Sequence, residues 1–416
     1  MHAYTQSIGG YLTIASQLQG DHRTSSPELE ILLGAGTYAL SETDTLEAQV
    51  TGEYLCERID WHQLHVLAQR HGMEPLLIQY LQQTGSHELP PEFATELEQR
   101  MAAIQAENLA LVAELQSLLD DFHDREIPVL VYKGPVVASR AYGNIALRTY
   151  ADIDLLVPPE MNDEARAMLR ERGYQHQTTN GPVSQAVYRR PDQQPTIDLH
   201  TNVIPEFFPF ALEFGELYDR RITVDVGGTA VPTMAPRDAC LIHAIHGAKH
   251  HWYRVEWVLA TALLSQQVTD MERTVTKAEQ LGCDRMLLLA FILARDLFSA
   301  PLPEAIENKL ATNSDDAAVV KTASDEIIDW ILHEEWAQQN VKRTHIADFT
   351  LRSRLLSSRS AKVRFWFRAL TEPRSEDIDW VALPDELWPL YRVLRPIRLL
   401  WDYRKTLVKK RKFGST

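Results

Sequence analysis

The sequence predicts an α+β protein, a mixed β-sheet core flanked by N- and C-terminal all-helical regions. Three observations carry this. Apolar residues recur at three- and four-residue spacing in the first hundred residues and again after Pro236, the period of a helix with one buried face. Between about residues 127 and 233 that period gives way to short runs rich in β-branched residues, which read as strands. At 416 residues the chain is longer than one typical core requires. The expected divisions are a loose N-terminus over 1–26, a helical region over 27–104, the sheet core over 105–235, and a helical region with a basic tail over 236–416.

The elements follow in order. Leu64–Ala68 and Leu76–Leu81 carry helical spacing. Leu89-Pro90-Pro91 breaks that run, and Pro91 suits the first turn of a long helix reaching about His123. Ile127–Tyr132 is a short buried strand. Gly134 marks the turn into a helix over Pro135–Tyr142. Asp152–Val157 is a second apolar strand carrying two aspartates. A helix over Glu160–Arg172 ends at Gly173. Val187–Arg190 and Thr196–His200 form two more strands around a turn at Pro191-Asp192. Ile222–Thr233, with Gly227-Gly228 inside, reads as a hairpin. Helices follow to the end.

Composition narrows the classes. An apolar share of 45% and a charged share of 24% describe an ordinary globular protein. Cys56, Cys240 and Cys283 form no CxxC pair, and their odd number argues against a disulfide framework. A reducing, cytoplasmic setting is expected. No signal sequence stands at the N-terminus, and no apolar stretch reaches the roughly 18 residues of a membrane span. Charge is uneven. Residues 341–416 hold 18 Lys/Arg against 8 Asp/Glu, while the whole chain is −15. Such a tail either folds back on an acidic body or meets an anionic partner. No Ser/His/Asp or Cys/His constellation for nucleophilic catalysis is present.

The informative chemistry lies in the middle. On a strand, residues i and i+2 share a face, so Asp152 and Asp154 point the same way from Asp152-Ile153-Asp154. Two adjacent carboxylates repel each other and are costly to bury without a cation. Mg²⁺ or Mn²⁺ is the natural occupant, because hard cations take carboxylate oxygens. Asp198, on a strand between Ile197 and Leu199, completes the cluster if its strand neighbours the first. Asp152, Asp154 and Asp198 are therefore the expected catalytic and metal-binding residues, with Asp198 as base or second-metal ligand. Lys133-Gly134 stands at a strand-to-helix turn, where a close backbone approach, a helix N-terminus and an ammonium can meet phosphate. Arg148 is a further phosphate contact by position.

Lys133-Gly134, Arg148-x-x-x-Asp152-Ile153-Asp154-Leu155-Leu156-Val157, Gly173-Tyr174 and Ile197-Asp198-Leu199-His200 together resemble the uncharacterised nucleotidyltransferase family of the DNA polymerase β-like superfamily. His246-Gly247-Ala248-Lys249-His250, Arg254 and Trp257 resemble its helical motif. Ile59-Asp60-Trp61, Ala68-x-x-His71-Gly72, Asp379-Trp380 and Leu394–Leu400 extend the resemblance over about residues 27–405. Two departures stand out. Many members of the superfamily carry Gly-Ser where this chain reads Lys133-Gly134-Pro135, and Ala260 replaces an aspartate common three residues after the tryptophan.

The resemblance implies a nucleotidyltransferase-type core and transfer of a nucleotidyl group from an NTP to an acceptor hydroxyl or phosphate. Lys133, Gly134, Arg148, Lys249 and His250 would hold the nucleotide. Two other readings stay open: γ-phosphoryl transfer at the same metal cage, and a non-catalytic nucleotide sensor or interaction scaffold. A small-molecule, peptide or protein acceptor is favoured over nucleic acid, because an acidic body disfavours phosphate-driven binding. His243, His246 and His250 fall on one helix face. Three ligands from one straight helix rarely close a zinc shell, so lining of the cleft is the expected role.

Overall fold

The computed structural model describes residues 26–41, 59–84, 89–177, 185–191, 193–332, 345–373 and 375–413. The N-terminal segment 1–25, Cys56, Asp192 and the start of the basic tail at Val341 lie outside the described residues.

Helix α1 (Pro27–Leu40) starts at Ser26, whose hydroxyl accepts from Leu29 N. Helix α2 (Trp61–His71) is capped by Asp60 and stopped by Gly72 in the left-handed region, and α3 is Glu74–Thr84. Helix α4 (Pro91–Asp124) begins at the proline expected to begin it and runs through residue 105 without a break. The sheet follows: β1 (Leu130–Val131), α5 (Pro135–Tyr142), β2 (Asp152–Leu156), α6 (Asn162–Glu171), β3 (Gln175–Gln177), β4 (Gln185–Arg190) and β5 (Gln193–His200). Strand order is β1-β2-β5-β4-β3. β2 runs parallel to β5, and the other neighbours are antiparallel, so the sheet is mixed as expected. β1 pairs over two residues only, shorter than the apolar run 127–132. Pro128 has no N–H to give a ladder, and Ile127 N closes the end of α4 on Phe122 O.

Alternation sorts the sheet's two faces. Ile153, Leu155, Ile197 and Leu199 are fully buried with Leu115, Leu118 and Phe122 of α4 and Met168 and Leu169 of α6. Each such side chain contributes roughly 1.5–3 kcal/mol. The other face carries Asp152, Asp154, Asp198 and His200. After α7 (Phe214–Asp219), the hairpin β6 (Ile222–Val226) and β7 (Thr229–Thr233) closes over β1.

Helices complete the chain: α8 (Pro236–Lys249), α9 (Val255–Ser265), α10 (Met271–Leu281), α11 (Asp284–Phe298), α12 (Glu304–Thr312), α13 (Ser314–Leu332), α14 (His345–Arg354), α15 (Arg359–Thr371), α16 (Ser375–Trp380) and α17 (Tyr391–Phe413). α11 is buried along most of its length and packs on α1, α9 and α13, so the N- and C-terminal helices share one apolar cluster. Cys240 and Cys283 are free and buried. Among the described residues, no helix is long and apolar enough to cross a membrane.

Candidate active site

The carboxylates converge because β2 and β5 are neighbours in register. Asp154 lies directly opposite Asp198, and Asp152 opposite Thr196. Asp154 is buried, whereas Asp152 and Asp198 are half-buried. Asp154 Oδ1 accepts from Lys133 Nζ at 2.9 Å and faces His200 Nε2 at 3.2 Å. Gln185, opposite His200 on β4, donates to Asp198 Oδ2 at 2.9 Å. Tyr132 sets its ring edge-on to His200 at 5.5 Å.

These contacts divide the acids. Burial opposes the charge of Asp154, but Lys133 and His200 outweigh it and hold the carboxyl well below the usual range. Burial and the Asp154 charge push Asp152 up. Burial, then Asp154 and Asp152, push Asp198 up to about 6. Among the described residues, the donor atoms close enough to share one ion belong to Asp154, Asp198 and His200, all within 4.8 Å of one another. Asp152 stands beside that group on the same strand face, outside it. The histidines of α8 form no such group.

Lys133 ends the first strand, and its ammonium lies against a carboxylate. Gly134 has φ +50°, and a Cβ there would meet the Asp152 carbonyl oxygen at 3.1 Å, so the turn onto α5 requires glycine. Arg148, expected by position as a phosphate contact, is engaged within the protein. Its Nε donates to Glu256 Oε1 at 2.7 Å, and one terminal nitrogen reaches Gly134 O at 3.5 Å. Tyr142 also donates to Glu256 Oε1, at 3.0 Å. Glu256 is buried and Arg148 half-buried, so Arg148 braces the glycine turn from behind.

The opposite wall is the last turn of α8. His246 and Lys249 line a cleft with Lys133, Gln185 and His200. Trp252 doubles back onto Gly247, where any side chain would collide with its ring; this fixes the turn that ends the helix. His246 meets Trp257 edge-on at 5.0 Å, and His250 lies tilted against it at 5.3 Å. Burial and nearby cations push both imidazoles well below their ordinary pKa. Burial, Lys133 and Arg352 bring Lys249 down to about 8. His243 is not among the residues lining the cleft and pairs through Nδ1 with Ala239 O at 2.9 Å.

The family model for the uncharacterised nucleotidyltransferases matches residues 57–299, more than half of the chain. The chain belongs to that family. No curated protein matches it. Among solved structures, the nucleotidyltransferase is similar to the antibiotic-resistance factor ANT(2'')-Ia, at 15% identity over 42% of this chain and 98% of that one, TM-score 0.29. It is also similar to the lincosamide antibiotic adenylyltransferase LnuA, at 14% identity over 38% and 97%, TM-score 0.27. A nucleotidyltransferase-like protein from Paracoccidioides brasiliensis is 12% identical over 47% and 94%, TM-score 0.27. Superpositions this loose lend no residue a role.

Of the residues expected from the sequence of the nucleotidyltransferase, Lys133 and Lys249 line the cleft; Asp154 and Asp198 are bonded to Lys133 and Gln185 of that lining, Asp152 shares their strand face, and Gly134 follows Lys133. His250 lies just behind the cleft, against Trp257 and Tyr253. Three partners were missed. His200 was visible as the second residue after Asp198, hence on the same strand face. Glu256 was visible as one acid in the otherwise apolar run Val255–Leu264. Gln185 gave no signal, because its place depends on the register of β4.

Proposed function

We propose that the nucleotidyltransferase moves a nucleotidyl group from an NTP to an acceptor hydroxyl or phosphate in a divalent-metal-dependent reaction. The observation that carries this reading is the registered pair Asp154 and Asp198, with His200 beside them and Asp152 on the same face. The residues suit a hard divalent ion. Carboxylate oxygens dominate the donor set, the imidazole is compatible with Mn²⁺ as well, and the Lys133 ammonium already stands as a cation against Asp154. Asp154 and Asp198, with His200 beside them, would hold Mg²⁺ or Mn²⁺, and Asp152 would reach a second ion from the same strand face. When bound, the metal would neutralise phosphate charge and polarise the phosphorus under attack.

The chain's own groups do the rest. Lys133, the Gly134 turn and Lys249 bind the triphosphate from both walls. Arg148 serves by bracing that turn. Asp198 takes the proton of the acceptor hydroxyl as its oxygen bonds to the α-phosphorus, and the bond to the bridging oxygen breaks to release pyrophosphate. A small molecule, a peptide or a protein is the acceptor class favoured over nucleic acid, because the chain is acidic overall.

A small-molecule and peptide pool incubated with each α- or γ-labelled NTP and Mn²⁺ tests this. Label is expected on an acceptor from the α position only. Asp154→Asn should lower the rate on the order of 10³-fold and abolish Mn²⁺-dependent ATP binding in calorimetry. Label from the γ position would establish phosphoryl transfer instead.

A further inference from the structure

The C-terminal helices are built with charge inside and apolar surface outside. Asp377 is fully buried between Arg395, at 2.9 Å, and Arg398, at 2.6 Å. Arg395 also donates to Ala369 O at 3.0 Å, tying α17 to α15. The outward faces are the opposite. Of the 15 large apolar residues exposed among the described residues, 13 fall between Val363 and Trp401. They are not scattered. On α15, Val363 and Phe367 are 69% and 67% exposed, and Leu370 follows at the next turn. On α17, Val393, Ile397, Leu400 and Trp401 stand at i, i+4, i+7 and i+8, one continuous face. α15 and α17 pack side by side, so the two stripes adjoin. A contiguous apolar patch of this kind marks an interaction surface.

Charge indicates what covers it. Residues 391–413 hold nine Lys/Arg and one acid in a chain whose net charge is −15, and seven of the nine remain once Arg395 and Arg398 are set against Asp377. Arg364 and Arg392 are exposed next to the apolar stripes. Trp380, Trp388 and Trp401 are exposed within the same region. Indole rings suit a boundary that is apolar on one side and wet on the other. Exposed apolar stripes, tryptophans and flanking basic residues on helices too polar to span are the composition of an interfacial membrane helix. We propose that the outer face of α15 and α17 docks the protein on an anionic lipid bilayer, leaving the acidic body and its cleft in water.

Flotation of the full chain with phosphatidylcholine vesicles, with or without about one third phosphatidylglycerol, tests this. The protein should float only with the anionic vesicles, and salt should weaken the binding. A double substitution Ile397→Asp with Leu400→Asp should cost at least about tenfold in partitioning. Arg364→Glu with Arg392→Glu should cost about 25-fold, roughly fivefold for each basic residue lost near the surface. Both variants change exposed side chains, and retained helical circular dichroism confirms that each is folded. Equal binding to both vesicle types, or none to either, overturns the proposal. So does a dimer in light scattering that Ile397→Asp with Leu400→Asp dissociates while the parent ignores vesicles, because the face then belongs to a second copy.

Discussion

On the strand wall of the cleft, Asp154 stays ionised because Lys133 and His200 meet its Oδ1 at 2.9 and 3.2 Å. On the helix wall, among the described residues, no acid is paired directly with His246, His250 or Lys249, so burial and neighbouring cations hold both imidazoles neutral and, against the pull of Asp154 and Asp198, bring Lys249 down to about 8. Both walls are desolvated, but only one is compensated from within the protein. Asp154 is therefore the fixed charge of the strand wall, and the helix wall is a set of donors suited to an anion. A triphosphate between the two would supply the missing partner.

The compensated side should be the more fragile structurally. Glu256→Ala leaves the half-buried Arg148 without its carboxylate and removes the brace behind Gly134. A loss of about 3–5 kcal/mol in urea unfolding is expected. The double substitution Arg148→Met with Glu256→Met removes both charges and should recover most of that stability. A mild effect of Glu256→Ala alone would mean that the pair is not what stiffens the strand wall.

The uncompensated side should matter for ligand more than for fold. Lys249→Met should weaken ATP binding in the presence of Mn²⁺ by about 10- to 100-fold, the contribution of a hydrogen bond to a charged group, with little change in unfolding. In the parent, ATP affinity should fall as pH rises through about 8, because the ammonium is lost there. Lys249→Arg should flatten that profile, since arginine keeps its charge. Calorimetric titration at pH 7 and 9 separates the two outcomes.

Much of this contrast could be read before the structure was known. Alternation alone placed Asp152 and Asp154 on one face, and short apolar strands around Asp198 made it their natural neighbour. Glycine and proline punctuation located α4 and α5 and the β6–β7 hairpin. What stayed hidden depends on distant partners. Arg148 read as a phosphate contact because nothing local shows that Glu256, 108 residues later, takes its guanidinium. β3 has no apolar alternation to betray it and exists through pairing with β4. The outward apolar faces of α15 and α17 were equally illegible, because helical spacing shows that a stripe exists but not which side of the molecule it meets.

The smallest effect should come from His243, which sits behind the helix wall and donates its Nδ1–H to Ala239 O. Burial, opposed by that hydrogen bond, brings its imidazole down to about 4. An unfolded histidine takes up a proton below about pH 6.5, whereas the folded one stays neutral until about 4. The unfolded state thus binds more protons in this window, and stability present above about 6.5 is lost as pH falls. The contribution of His243 at pH 5.5 is about 1 kcal/mol. His243→Asn should therefore narrow its stability gap to the parent by that amount between pH 7.5 and 5.5, measured by urea unfolding at each pH. A constant gap would mean that this imidazole is already solvated in the folded protein, and the helix wall would then be less dry than its neutral histidines imply.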